Sequence, residues 1–193
     1  MRALRRIATV VAIAFGAFGA SALQATTVAQ MNLEQMVNNS DRVFVGTVLD
    51  VTESRKQIGG GELPAVTYRI KVSESFKGDF SEIKGEFYTE VTTLGTLKNI
   101  AEGHHPITDF PMLQVGEEYL LMVAPVGPIG LTATMGLGQG CFTITGDESD
   151  KVALNGAGNV GLFAGMQVGV ADGGPISWGT LSSMITDIVG GAE

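Results

Sequence analysis

Cys141 is the only thiol in the chain, and His104 and His105 are its only imidazoles. Nucleophilic or transition-metal chemistry would have to run through these three side chains. A cysteine nucleophile or redox sensor needs a base or cation nearby to lower its pKa. Cys141 instead opens the apolar run Cys141-Phe142-Thr143-Ile144 with no base beside it, the pattern of a small buried hydrophobe. One cysteine per chain excludes an internal disulfide and leaves a bridge between two copies open. His104-His105, followed by Asp109, places two imidazoles and a carboxylate in one segment. Adjacent side chains diverge on an extended chain, unlike the i, i+4 pair of a helix that converges on one ion. The pair therefore reads as part of a solvated loop, and no metal site is expected.

Two further patterns invite chemical readings and fall short of them. Gly136-Leu137-Gly138-Gln139-Gly140 resembles a phosphate loop in composition. Such loops lead into a helix whose N-terminal amides receive the anion. Here a strand pattern follows and no Gly-Lys-Ser/Thr occurs, so a β-turn is expected. Asp147, Glu148 and Asp150 could hold calcium, but their spacing lacks the twelve-position EF-hand pattern. No Gly-x-Ser-x-Gly, His-Glu-x-x-His or paired-carboxylate constellation stands out. A non-enzymatic role without a cofactor is expected, with a hydrolase or metal-dependent enzyme built on His104, His105 or Cys141 as the rival.

Charge and patterning say where the chain goes. Arg2, Arg5 and Arg6 precede an uncharged small and apolar stretch over residues 7–20, and Ala20-Ser21-Ala22 fits a small-x-small cleavage site, the layout of a secretory signal peptide over residues 1–22. Fourteen helical residues span only ~21 Å of a ~30 Å hydrocarbon core, too short for an anchor. The chain has 193 residues, with 12 Lys and Arg against 20 Asp and Glu. Cleavage would remove three arginines and no acid, leaving 9 basic and 20 acidic residues, a formal charge of −11. A secreted or periplasmic protein follows, with no later membrane span. Nucleic acid is excluded as a partner because its binding requires Lys and Arg to displace counterions.

The elements that would position these residues are mostly β. Leu33, Met36 and Val37 share one face of a short helix over residues 31–39, with Asn32 at its start. In residues 42–51, Val43, Val45, Leu49 and Val51 share one parity, Phe44 and Val48 the other, and Gly46 marks a bulge. Residues 53–64, with Gly59-Gly60-Gly61, read as a flexible loop. Val66, Tyr68, Ile70 and Val72 alternate cleanly with Thr67, Arg69, Lys71 and Ser73. Lys77-Gly78-Asp79 turns the chain into one strand over residues 83–91, with Ile83, Phe87 and Val91 inward. Residues 94–115 show no period. Tyr119 to Ala124 is apolar throughout, hence buried on both faces. Short strands are expected near 131–135, 141–145 and 151–154. Leu181, Met184, Ile185 and Ile188 line one side of a C-terminal helix. Short strands, Gly-marked bends and terminal helices predict a mainly β protein, a closed or nearly closed antiparallel barrel, with a β-sandwich as the alternative.

Six fragments carry a family resemblance. Ser40-Asp41-Arg42-Val43-Phe44-Val45-Gly46-Thr47-Val48 resembles the opening strand of the netrin-type module, the OB-fold barrel of the tissue inhibitors of metalloproteinases. The similarity continues through Val66-Thr67-Tyr68-Arg69-Ile70-Lys71-Val72, Phe76-Lys77-Gly78, Phe87-Tyr88-Thr89 and Gly116-Glu117-Glu118-Tyr119-Leu120-Leu121, and more loosely at Trp178-Gly179-Thr180-Leu181-Ser182. It implies a five-stranded OB-type barrel over residues 23–145, a Gly-rich insertion or extension over 146–176, and a helix over 177–193 that packs on the barrel. The family's inhibitors chelate the protease zinc through an N-terminal cysteine. No cysteine lies near residue 23, so that role has no residue to carry it.

The resulting expectation is an exported protein-binding module, with a secreted metalloprotease as the candidate partner. A structural role in an envelope or extracellular assembly is the alternative, suggested by the Gly-rich tail. Loops on a rigid scaffold make favoured binding surfaces. The expected contact surface thus comprises Leu23 and Gln24, then Gln57, Ile58, Glu62 and Leu63 of the first long loop, and Leu97, His104 and His105 of the second.

Overall fold

The computed structural model describes residues 28–147 and 149–191. The expected signal peptide, Leu23, Gln24 and Glu148 lie outside the described residues. The described chain forms α1 (Leu33–Asn39), β1 (Arg42–Ile58), β2 (Gly61–Lys77), β3 (Ser81–Ile83), β4 (Glu86–Leu94), α2 (Leu97–Ala101), β5 (Glu118–Val123), a 3-10 turn (Leu137–Gly140), β6 (Cys141–Thr145), β7 (Val152–Asn155), β8 (Ile176–Ser177) and α3 (Trp178–Gly190). The strands make one antiparallel sheet in the order β3-β4-β2-β1-β5-β6-β7-β8. The protein is mainly β with a C-terminal helix, as expected. Its strands number eight rather than five, and β3 and β8 are the open edges of the ladder.

Two left-handed turns account for most of the difference. The expected loop over residues 53–64 is a β-ribbon: β1 runs on to Ile58, and β2 starts at Gly61 in a register that sets Lys56 opposite Leu63. Gly59 and Gly60 both have positive φ, +57° and +85°, the two-residue hairpin geometry whose twist matches that of the flanking strands. The ribbon's polar residues follow no alternation, which hid it from periodicity. Lys84-Gly85 makes a second such turn, with φ of 56° and 81°. It splits the single strand expected over 83–91 into β3 and β4. Ile83 and Phe87, expected inward, are 49% and 47% exposed.

Strand β1 lies between β2 and β5 and is buried on both faces along its first half. Val43 and Val45 pack with Leu120, Met122 and Phe142 beneath α1 and α3. Phe44 and Val48 pack on the other side with Tyr68, Ile70, Leu121 and Val123. The expected common face of Val43, Val45, Leu49 and Val51 fails, because the β1–β2 register shifts at Val45/Gly46 and again at Val48/Asp50. Each irregularity rotates the residues that follow. Val51 therefore joins the Phe44 side, while Leu49 is 39% exposed. The bulge expected at Gly46 is present. A Cβ there would sit 2.7 Å from both Ile70 Cγ2 and Lys71 O.

These irregularities accompany strong coiling of the sheet. Arg42, at the start of β1, donates to Thr89 Oγ1 and to the Glu90 carbonyl (3.2 Å) on β4, although β2 lies between the two strands in the ladder. The segment after β5 also reaches β4. The Thr132 N–H donates to the Thr92 carbonyl at 2.7 Å, and the Thr92 N–H donates to Thr132 Oγ1 at 2.9 Å. The strand expected near 131–135 is reduced to this clasp and a single bridge between Thr134 and Val123.

The Gly-rich segment belongs to the core. Leu162 and Phe163 are buried among the apolar residues under α1 and α3. Buried Asn155 and Asn159 hold the segment in shape. The Asn155 carboxamide oxygen accepts from the backbone N–H of Ala157 and Asn159, and the Asn159 side chain donates to the carbonyls of Ala153 and Gly174. α1 begins with the expected Asn32 cap, closed as a box with Gln35. Among the described residues, no helix is long and apolar enough to cross a membrane.

The crowding at Gly46 makes a direct prediction. Gly46→Ala forces a methyl against backbone and Ile70, and overpacking of this kind costs ~1–3 kcal/mol. The urea midpoint of the variant should fall with an unchanged slope.

Candidate functional site

The ribbon formed by β1 and β2 and the segment that follows β4 meet at one end of the sheet. The α2 helix starts at Thr96, whose Oγ1 accepts the Asn99 N–H at 3.0 Å. The Leu97 N–H donates to the Glu53 carboxylate of β1 at 2.8 Å, tying the helix to the ribbon. Between them lies a shallow, mostly apolar groove of about 160 Å³, lined by Leu63, Pro64, Leu94, Gly95, Asn99 and Pro106. Leu63 and Leu97 are 42% and 41% exposed. Of the expected contact surface, Leu63 lines the groove, and Leu97 is tied to the same ribbon through Glu53. Gln57 and Glu62 are exposed and hydrogen-bonded to each other at 2.6 Å, while Ile58 is half-buried at the turn.

The two histidines part company. Exposed His104 pairs its Nε2 with the Asn99 carboxamide at 3.0 Å and lies 3.8 Å from Glu102. His105 turns the other way, stacking on Phe110 with ring centroids 4.2 Å apart. Its Nδ1 accepts the Ile107 N–H at 3.0 Å, and burial pushes its pKa down, which keeps the ring neutral near pH 7. Among the described residues, no three His, Cys, Asp or Glu side chains cluster as metal ligands. The N-terminal strap lies elsewhere. Gln30 donates to the Val160 carbonyl, Met31 N–H to Gln139 Oε1, and Asn32 to the Ala164 carbonyl.

The remaining candidates take structural places. Cys141 is buried against Tyr119, Leu121 and Val123, and burial pushes its thiol up to about 12. Gly136–Gly140 leads straight into β6, and its Gln139 side chain grips the Ala29 carbonyl and the Met31 N–H. The Asp150 carboxylate accepts the Asp147 N–H at 3.1 Å, closing a surface turn.

A polar cleft escaped the sequence reading. It encloses about 510 Å³ beside the outer edge of β4, where Arg42 and Thr132 meet that strand. Arg42, Lys56 and Arg69 line it with Asp79, Glu90, Tyr88, Thr89 and Ile83, among others. Arg42 is nine-tenths buried. Its Nη1 serves Thr89 and Glu90, its Nε lies 3.5 Å from Asp41, and neither Nε nor Nη2 makes a hydrogen bond among the described residues. Burial pulls the guanidinium pKa down and Asp41 partly offsets this. Arg69 lies 3.9 Å from Asp50 and over the Tyr88 ring. One signal of the cleft was present in the sequence: Arg42 is a fixed charge directly ahead of the apolar run Val43-Phe44-Val45. Lys56 and Arg69 carried none, since only the coiling of β1 brings them near Arg42.

Comparison with known proteins adds no family: no protein-family model matches the chain, and no curated protein matches it in sequence.

The Cys141 environment predicts a pH effect. An unfolded thiol titrates near ~8.5, whereas the folded one holds its proton to about 12. Above pH ~8.5 the unfolded chain releases a proton that the folded chain keeps, so stability falls as pH rises through this window. Urea titrations from pH 8 to 10 should show a smaller decline in Cys141→Ala than in the parent. In the native parent at pH 8 the thiol should resist alkylation, and it should react promptly in urea.

Proposed function

We propose that the protein is an exported, non-enzymatic binding module of the netrin/OB type, which engages a protein partner through the rim of the β1–β2 ribbon and α2. One observation carries this reading: two-fifths-exposed Leu63 lines a shallow apolar groove with Leu94, Asn99 and Pro106, and Leu97, equally exposed, starts the helix that the Glu53–Leu97 hydrogen bond ties to the same ribbon. Exposed leucines on a rim fixed by backbone pairing match a preformed contact surface, for which little ordering entropy is lost on binding. The OB-type reading is supported by the Thr92–Thr132 clasp, which lets β4, β2, β1, β5 and the segment after β5 wrap around the Phe44–Tyr68–Leu121 core.

A secreted metalloprotease remains the candidate partner through the family resemblance. The family's cysteine-based zinc chelation has no counterpart here, so any inhibition would act by covering the substrate groove.

The purified protein should slow at least one secreted metalloprotease of its own organism, or retain an envelope protein on an affinity column. The double variant Leu63→Asp/Leu97→Asp should lose that interaction by tenfold or more with only a small change in thermal midpoint, since both side chains are about two-fifths exposed. Failure of every protease and of the column to show an interaction, or an unchanged interaction in the variant, removes the reading.

A further inference from the structure

We propose that the cleft beside the outer edge of β4 binds a small organic anion carrying one carboxylate and an apolar body. Charge is the first argument. Nine basic residues follow residue 22 in this acidic chain, and three of them, Arg42, Lys56 and Arg69, line one cleft. Asp79 and Glu90 line it too, and Asp41 and Asp50 stand beside Arg42 and Arg69, so Lys56 is the lining cation with no carboxylate within ion-pair distance among the described residues. A single carboxylate answers Lys56, whereas a phosphate dianion would bring a second negative charge toward Asp79 and Glu90.

The cations differ in how far they are already answered. Arg69 is near Asp50 and covers the Tyr88 ring. Arg42 is oriented by Thr89 and Glu90, yet among the described residues two of its three guanidinium nitrogens are buried without a hydrogen bond, and Asp41 stands 3.5 Å from Nε. Lys56 makes no ion pair among the described residues. Its ammonium lies against Gly130, where a Cβ would come within 3.2 Å of Nζ. A buried guanidinium with an incomplete set of partners is costly, and a countercharge in the adjoining cleft relieves that cost in a medium less screening than water.

Shape and lining supply the second argument. A volume of about 510 Å³ falls within the ~300–1,000 Å³ usual for small-molecule sites. Ser81, Thr89 and Thr132 line the cleft, and so do Ile83 and Val126, whose 49% and 58% exposure leaves apolar surface open to a ligand. A carboxylate set toward Arg42 and Lys56 would leave its hydrocarbon body on Ile83 and Val126. That carboxylate could belong to a free acid or to the C-terminus of a peptide.

The test is calorimetric titration of the purified protein at low ionic strength with hexanoate, hexanamide and inorganic phosphate, and with an apolar hexapeptide bearing either a free or an amidated C-terminus. Hexanoate should bind saturably, and hexanamide at least tenfold more weakly. Lys56→Gln should weaken hexanoate about tenfold at an unchanged thermal midpoint, a check that does not depend on how Arg42 variants fold. Tighter binding of the free-acid peptide than of hexanoate supports the site with a chain terminus as its source; weaker binding supports it with a free acid. Absence of hexanoate binding, equal binding of hexanamide or phosphate, or an unaffected Lys56→Gln overturns the proposal. Leu97→Asp alone should bind hexanoate like the parent, which separates this site from the protein-contact rim; Leu63 is left unchanged because it pairs opposite Lys56.

Discussion

A seventeen-residue strand with apolar side chains on both faces must find two hydrophobic layers, and β1 finds them by bending out of the plane of its own sheet. The bend depends on a close approach at Gly46, where β2 passes so near that no Cβ fits, and on two register shifts that rotate the strand between Val45 and Asp50. From that curvature follow the burial of Val43 and Val45 beneath the helices, the enclosure of Phe44 and Val48 with Tyr68, and the reach of Arg42 to β4. A flat β1 would keep each of these pairs apart.

The same bend explains which parts of the fold could be read from residues alone. Alternation in Val66 to Ser73 and the all-apolar run from Tyr119 were legible because each meets one kind of environment along its length. The helix faces of Leu33, Met36 and Val37, and of Leu181 and Ile185, were legible for the same reason. Alternation failed where the environment changed within a strand, at Leu49 and Val51, and where a ribbon left the core, at residues 53–58. Lys84-Gly85 hid as a turn because a lysine holds the first left-handed position, which residue type alone does not flag. Of the expected contact residues that are described, Leu63 lines the groove and Leu97 is tied to its ribbon through Glu53, and the cleft around Arg42 is a product of tertiary curvature.

Arg42 ties the architecture to the chemistry. Its stem is buried beneath the turn at Gly78, where a Cβ would lie 2.7 Å from Arg42 Cγ, and its head serves the β4 edge that would otherwise lack partners at Glu90. Burying a guanidinium with an incomplete set of partners is costly to a fold. The position therefore has two demands, pairing a strand edge and carrying a charge, and no neutral side chain meets both.

The clamp between the two ends of the described chain has a further implication for the order of folding. Leu33 donates its amide to Leu162, Met31 is held by Gln139, and α1 packs on α3. Each contact joins the first helix to residues more than 100 positions downstream. Contacts of such long range form late, because their loops must close before anything is gained. During synthesis the β1–β2–β4 meander could pair as soon as it emerges, while α1 would wait with Leu33 and Met36 uncovered until the final third of the chain arrives. A ribosome-bound intermediate would thus display an adhesive early segment, a natural handle for a chaperone.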